Sequence, residues 1–198
     1  AMPDYLFPPA PVKALAVAGT SALYPVNRVF CVGRNYVEHA AEMGYEVDRE
    51  APFYFLKGPH SVVASGATVP YPPGTSDYQF EIELVLALSV PVFRGSAAEG
   101  QAAIGWLGAG LDMTRRDLQV SEREKKRPWD LGKDVEGSCV LGPLIPAAGF
   151  GPLEGRAIRL SQNGALRQDA LLDELVWKPA EIVAHLSGFY HLQPGDLI

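Results

Sequence analysis

Residues 77–88 read DYQFEIELVLAL, a stretch that fits a β-strand with charge at one end. With a period of two, alternate residues from Ile82 to Leu86 are apolar and share one face. The other face carries Glu81 and Glu83 before it turns apolar. Neighbours on one face of a strand are roughly 6.6 Å apart. The two carboxylates therefore repel each other and lose solvation unless something offsets their charge.

Two interpretations explain this pair of glutamates. Alternating carboxylates on one strand face can converge on a hard divalent cation, or they can lie solvated at an exposed strand end. Asp112 offers a third carboxylate, because it follows the small apolar run 109–111, although it fits a turn or cap equally well. Three oxygen donors without cysteine or a histidine triad favour Mg²⁺ or Mn²⁺ over Zn²⁺.

Composition and charge argue against several classes of partner. The 198 residues are 47% hydrophobic and 20% charged, which suits one globular domain with or without a small extension. The net charge of −6 argues against nucleic acid as the main partner. No apolar run approaches the length of a membrane span. Cys31 and Cys139 lack metal-site spacing, and no signal peptide is evident, so we expect free thiols and a cytoplasmic protein.

The distribution of short strands predicts the fold class. Strands dominate and no alternation of strand and helix appears, so an α+β, mainly β architecture is favoured over a doubly wound sheet. Residues 155–170 place two strand-like runs around Asn163 and Gly164, a hairpin composition. Residues 178–198 predict a helix, a turn and the start of a strand. We expect the natural end of the domain to lie beyond Ile198.

Further helices are predicted in three places. Residues 34–44 have Asn35 as a possible N-cap. The small residues of 97–110 predict a second helix, and a third follows Thr114 as its N-cap.

His39 and Glu42 form a possible catalytic pair in the first of these helices. At a spacing of three they share a helix face, where Glu42 can orient and charge-tune the imidazole for general-base work on water. A solvated polar stripe on a surface helix explains the pair as well.

Several cations are candidates for binding an anion. Lys133 lies in DLGKD, where the neighbouring glycine suggests that the backbone approaches a ligand closely. Taken singly, each cation is also compatible with an ordinary surface charge; the candidates are Arg34, Lys57, Arg115, Arg116 and Lys133. Neither a phosphate-binding glycine loop nor a serine-hydrolase elbow is present.

Seven segments, in this order along the chain, together resemble the fumarylacetoacetate hydrolase family, and within it the small acylpyruvate or fumarylpyruvate hydrolase branch. They are CVGRNYVEHAAEMG, PFYFLKGPHSVV, PYPPGTSDYQFEIELVLAL, GLDMTRRDLQ, RPWDLGKD, NGALRQ and PGDLI. The resemblance implies a mixed β-roll of the fumarylacetoacetate hydrolase C-terminal-domain type with a few short helices. It further implies a homodimer, an N-terminal extension at 1–27 and a catalytic domain at 28–198.

The resemblance also implies the roles of individual residues. One Mg²⁺ or Mn²⁺ ion is held by Glu81, Glu83 and Asp112. His39 and Glu42 activate water, and Lys133 acts in catalysis. The implied substrate-binding residues are Arg34, Arg116, Gln119 and Lys133.

The implied activity is hydrolytic carbon–carbon cleavage of a 2,4-dioxo acid in the catabolism of aromatic compounds. The expected substrate is fumarylpyruvate. The partner is then a small anionic 2-oxo acid, with neither nucleic acid nor a membrane involved. Oxaloacetate decarboxylation or tautomerisation, or isomerisation of 2-hydroxyhepta-2,4-diene-1,7-dioate, uses the same apparatus without an attacking water. A ligand-binding protein without catalysis is the remaining alternative.

Overall fold

The computed structural model describes residues 2–36 and 51–198. The strands of these residues are β1 (Ala14–Leu15), β2 (Tyr24–Pro25), β3 (Arg28–Gly33), β4 (Phe53–Lys57), β5 (Val62–Ala64), β6 (Tyr78–Gln79), β7 (Ile82–Leu88), β8 (Ile104–Asp112), β9 (Thr114–Arg115), β10 (Cys139–Leu141), β11 (Ile145–Pro146), β12 (Ala157–Gln162), β13 (Ala165–Leu171) and β14 (Asp196–Leu197). The α-helices are α1 (Ala97–Ala103), α2 (Arg116–Glu124), α3 (Asp130–Lys133) and α4 (Pro179–Leu186), with 3₁₀ turns at Pro59–Ser61 and Leu172–Glu174. None of the helices described is long and apolar enough to cross a membrane.

A mixed eight-stranded sheet organises the molecule. Its strands run in the order β4-β3-β14-β7-β8-β10-β5, with β11 beside β8. β14 pairs parallel with β3 and β10 parallel with β5, while the other neighbours are antiparallel. The α+β, mainly β prediction is therefore confirmed.

Strand β7 is buried on both faces over its second half. One face contributes Val85 and Ala87 to a core cluster within the roll, and the other contributes Leu86 and Leu88 to a second cluster that includes Val183 of α4. Helices α1 and α4 cover that second face. The polar side chains of Glu81 and Glu83 lie at the start of β7, outside these apolar clusters.

The predicted helix at 97–110 is half wrong. Helix α1 ends at Ala103, after starting from a Ser96–Glu99 capping box, and the chain continues as β8. Glycines at 105, 108 and 110 weaken a helix, and the long pairing with β7 favours the strand. A Cβ on Gly110 would lie 2.7 Å from Leu141 Cδ2 and 3.1 Å from Val140 O, so a larger residue there would require β10 or its side chains to shift.

The other helix predictions are confirmed in part. The helix expected after Thr114 begins at Arg116, and Thr114 is not its cap, because its hydroxyl bonds to Asp112 O and Lys133 Nζ instead. Residues 34–36 are not helical, and the Asn35 side chain pairs with the backbone of Trp177. The rest of that predicted helix lies outside the described residues. The hairpin around Asn163 and the helix, turn and strand at 178–198 are confirmed.

A tyrosine side chain forms hydrogen bonds between the N-terminal segment and the core. The Tyr24 hydroxyl donates to Leu88 O at 2.8 Å and accepts from the Gly195 N–H at 2.7 Å. Burial raises the pKa of Tyr24 to about 12. This hydroxyl thus joins β2 to β7 and to the turn before β14.

We expect Tyr24→Phe to lower the free energy of unfolding by about 1–3 kcal/mol, because it leaves the Gly195 N–H and Leu88 O without their partner. Urea denaturation measures the change. The control is Tyr5→Phe, on a side chain in a residue that is 57% exposed. Equal midpoints for the two variants would contradict the role of the hydroxyl.

Candidate metal centre

The structure brings Glu81, Glu83 and Asp112 together. Their carboxylate oxygens lie within 4.8 Å of one another. Glu81 immediately precedes β7, Glu83 is its second residue, and Asp112 ends β8. The Asp112 N–H donates to Glu81 O at 2.8 Å, so the pairing of the two strands places the carboxylates side by side. Glu81 and Asp112 are buried.

Lys133, at the end of α3, contacts two of these carboxylates. Its Nζ donates to Glu81 Oε2 at 3.0 Å, Asp112 Oδ2 at 2.9 Å and Thr114 Oγ1 at 2.8 Å. Burial alone lowers the pKa of Lys133, but Asp112 and Glu81 outweigh it and raise that pKa above its usual value. The lysine is therefore a buried cation fixed at the edge of the carboxylate cluster.

The glycine beside Lys133 has a packing role. A Cβ on Gly132 would lie 2.8 Å from the backbone nitrogen of Gln119, so glycine lets α3 lie directly against α2. The close backbone approach expected from DLGKD is therefore an approach to α2. It brings Lys133 and Gln119 to the same site.

Arg116 and Gln119, both in the first turns of α2, lie beside Glu81. Arg116 Nη2 donates to Glu81 Oε1 at 2.7 Å, and its Nη1 donates to Gln119 Oε1 at 2.6 Å. Gln79 Oε1 accepts a hydrogen bond from Arg116 Nε at 2.9 Å. The spacing of three residues along the helix lets both side chains reach one point.

Lys57, one of the candidate cations named from the sequence, belongs to the site, where it pairs with a carboxylate of the cluster. It is 1% exposed at the end of β4, and its Nζ lies 2.9 Å from Asp112 Oδ1. The same Nζ also donates to Met113 O, Lys133 O and Ser138 Oγ. In the sequence, the only signal is a lysine directly after the apolar run FYFL, which predicts a buried charge without naming its partner.

The surroundings of Glu83 disfavour its ionised form. Burial raises its pKa well above the usual range, and the charges of Glu81 and Asp112 raise it further. Burial also acts to raise the pKa of Asp112, but Lys133 and Lys57 hold that pKa below its usual value. A cation beside Glu83 offsets the like charges that oppose its ionisation.

The donor set fits Mg²⁺ or Mn²⁺. Three converging carboxylates are hard oxygen ligands, which these ions prefer. Three cations, Lys57, Lys133 and Arg116, balance the three carboxylates, so a divalent ion gives the cluster a net charge of about two. The loaded site is therefore suited to an anionic ligand.

Arg34, the residue after β3, borders the same space. Its guanidinium lies over the rings of Phe53, at 5.1 Å, and Trp129, at 5.4 Å. A cavity joins it to the carboxylates, with a lining that includes Arg34, Phe55, Glu81, Glu83, Gln119 and Lys133. The sequence-predicted pair His39 and Glu42 lies outside the described residues.

Comparison with known proteins identifies the family. Residues 28–198 match the family described as fumarylacetoacetate (FAA) hydrolase C-terminal. The chain belongs to the fumarylacetoacetate hydrolase family. A curated relative, fumarylpyruvate hydrolase from Ralstonia sp, is 51% identical over 158 residues, which are 79% of this chain and 82% of the relative. An oxaloacetate tautomerase from Escherichia coli (strain K12) is 32% identical over 88% of this chain and 80% of that protein.

A solved structure also resembles this chain closely. The crystal structure of fumarylpyruvate hydrolase from Pseudomonas aeruginosa in complex with Mn²⁺ and pyruvate has a TM-score of 0.92 and 43% identity. The match covers 98% of this chain and 85% of that one. The prediction of a mixed β-roll of this family is confirmed.

Lys57→Met tests the buried ion pair. We expect it to lower the free energy of unfolding of the metal-free protein by about 3 kcal/mol, because Asp112 loses a buried cation. Urea denaturation in the presence of a chelator measures this loss. Lys125→Met, on an exposed lysine after α2, is the matched control.

A double variant, Lys57→Met with Asp112→Asn, separates charge from packing. Removing both partners is expected to cost less than the sum of the single changes. Additive losses, or a Lys57 variant as stable as the Lys125 variant, would contradict a buried ion pair.

Proposed function

We propose that this chain is a metal-dependent hydrolase that cleaves the carbon–carbon bond of an acylpyruvate, with fumarylpyruvate giving fumarate and pyruvate. The observation that carries the proposal is the buried carboxylate cluster with its balancing cations, in a chain 51% identical to a fumarylpyruvate hydrolase. We assign the reaction to the catabolism of aromatic compounds.

Glu81, Glu83 and Asp112 would hold the Mg²⁺ or Mn²⁺ ion. When bound, such an ion supplies Lewis acidity and a chelation point for the carboxylate and 2-oxo oxygens of the substrate. Lys57 holds Asp112 in place, and Arg116 holds Glu81 in place. Pre-oriented ligands of this kind lower the reorganisation needed during the reaction.

Lys133, Arg116, Gln119 and Arg34 form the proposed anion-binding wall. Lys133 is the group best placed to stabilise an enolate, because its ammonium lies among the carboxylates that border the cavity. Hydrolysis adds water to the 4-carbonyl carbon and breaks the bond to carbon 3. The electron pair goes to the pyruvate fragment as an enolate, which a proton then converts to pyruvate.

We assign activation of the water to His39 with Glu42, on the sequence resemblance. The imidazole would accept a proton from the attacking water, and Glu42 would fix its orientation and stabilise the imidazolium. We also propose residues 28–198 as the catalytic domain. Residues 1–27 are then an N-terminal extension that contributes Leu15, Tyr24 and Val26 to its core.

Oxaloacetate tautomerisation is the second candidate function. The relative from Escherichia coli with this name is 32% identical. Tautomerisation requires enolate stabilisation but no attacking water, so the residues assigned to the ion and to Lys133 would serve both reactions. Product analysis distinguishes the candidates, because only hydrolysis yields two acids.

A substrate panel tests the function. We expect Mn²⁺-dependent loss of the ultraviolet absorbance of fumarylpyruvate, abolished by a chelator. Glu83→Gln should lower kcat/KM about a hundredfold or more, since a catalytic metal contributes several kcal/mol. Glu124→Gln, an exposed change at the end of α2, should leave it unchanged.

His39→Ala tests the water activation that only hydrolysis requires. It should abolish fumarate formation while Mn²⁺ still binds. Full hydrolysis by this variant would overturn the assigned water activation. Turnover of oxaloacetate without any hydrolysis of a 2,4-dioxo acid would overturn the proposed reaction in favour of the second candidate.

We propose that the protein is a homodimer of the cytoplasm. The edge strand β4 and the segment after α4 expose the apolar side chains of Phe53, Leu56, Phe189 and Tyr190, which suits an interface. The free cysteines Cys31 and Cys139 suit a reducing compartment.

Sedimentation equilibrium should give twice the chain mass of 21.4 kDa. Phe189→Ser should shift the protein towards the monomer, because it removes apolar surface from the proposed interface. Leu166→Ser, an exposed change on the β12–β13 hairpin, is the control. A wild-type monomer at micromolar concentration would contradict the dimer.

A further inference from the structure

The chain that leads from β6 into the start of β7 carries two of the three carboxylates, Glu81 and Glu83. Phe80 and Glu81 belong to no strand, and β7 starts at Ile82. On one edge of this segment, Glu81 O accepts from the Asp112 N–H of β8. On the other edge, β7 bonds to the β14 region near Leu86. The start of the strand therefore needs another partner on that side.

A side chain from the β12–β13 hairpin provides this partner. The Ile82 N–H donates to Gln168 Oε1 at 2.8 Å, and Gln168 Nε2 donates to Phe80 O at 3.5 Å. One amide thus bonds the backbone on both sides of Glu81. The neighbouring Arg167 reinforces the contact, because its guanidinium lies 5.6 Å from the centre of the Phe80 ring.

The burial pattern of β13 fits a contact made by the polar side chain of Gln168. Leu166 and Leu171, its large apolar side chains, are exposed, whereas the polar Gln168 is half-buried. A strand stabilised only by apolar packing would show the reverse pattern. Gln168 is turned inward because the backbone at 80–82 offers it a donor and an acceptor.

We propose that Gln168 is a positioning residue for the metal centre. By fixing the peptide groups around Glu81, it sets the direction in which Glu81 and Glu83 leave the backbone, since alternate residues share one strand face. The hairpin is then a structural support of the site. This inference rests on the proposed metal-dependent function.

Gln168→Met tests the role of the amide, because methionine keeps the length of the side chain and removes both hydrogen bonds. We expect Mn²⁺ to bind about tenfold more weakly by isothermal calorimetry, the scale on which supporting residues act on metal sites. The Ile82 amide of the metal-free protein should exchange its hydrogen faster. Gln101→Met, on an exposed residue of α1, should change neither quantity.

The outcomes separate this role from a general loss of stability and from the proposed function. A weaker Mn²⁺ affinity with an unchanged melting temperature of the metal-free protein supports positioning. Affinity and Ile82 exchange equal to those of the wild type would overturn the role of Gln168 while leaving the proposed function intact. A wild-type protein that binds no Mn²⁺ would overturn both.

Discussion

Carboxylates held within 4.8 Å of one another in a buried site repel each other strongly, and this protein must compensate that repulsion to fold around them. Lys57, Lys133 and Arg116 provide the compensation through direct ion pairs to Asp112 and Glu81. These cations come from β4, α3 and α2, so three separate elements are tied to the β7–β8 pair that carries the acids. The charge balance of the site is therefore also an organising constraint on the tertiary structure.

Glycines make this arrangement sterically possible. Gly110 lets β8 lie against Leu141 of β10, and Gly132 lets α3 lie against the backbone of Gln119. A Cβ at either glycine would lie within 3.0 Å of a neighbouring atom, which at Gly132 belongs to the backbone. With larger residues in place of these glycines, the strand that carries Asp112 and the helix that carries Lys133 would lie further from the site. The glycine content of these two segments thus serves the geometry of the metal centre directly.

The proposed metal site is compatible with both hydrolysis and tautomerisation, the activities for which two relatives of this chain are named. An ion held by the three carboxylates, with Lys133 beside it, would favour a 2-oxo acid and its enolate, which both reactions need. Hydrolysis adds one requirement, a group that activates water. The proposed difference between the two activities therefore concerns His39 and Glu42 and leaves the charge cluster unchanged.

The sequence by itself determined features whose signals are local. The alternation in 81–87 predicted a strand, the Asn163–Gly164 turn predicted the hairpin, and the family motifs pointed to the three carboxylates. The tertiary structure decided the rest. Residues 104–110 form a strand because they pair with β7, and a segment of small residues does not reveal that partner. Lys57 and Gln168 act on residues 55 and 86 positions away. Ion pairs and side-chain bonds over such distances depend on chain topology, which local periodicity does not encode.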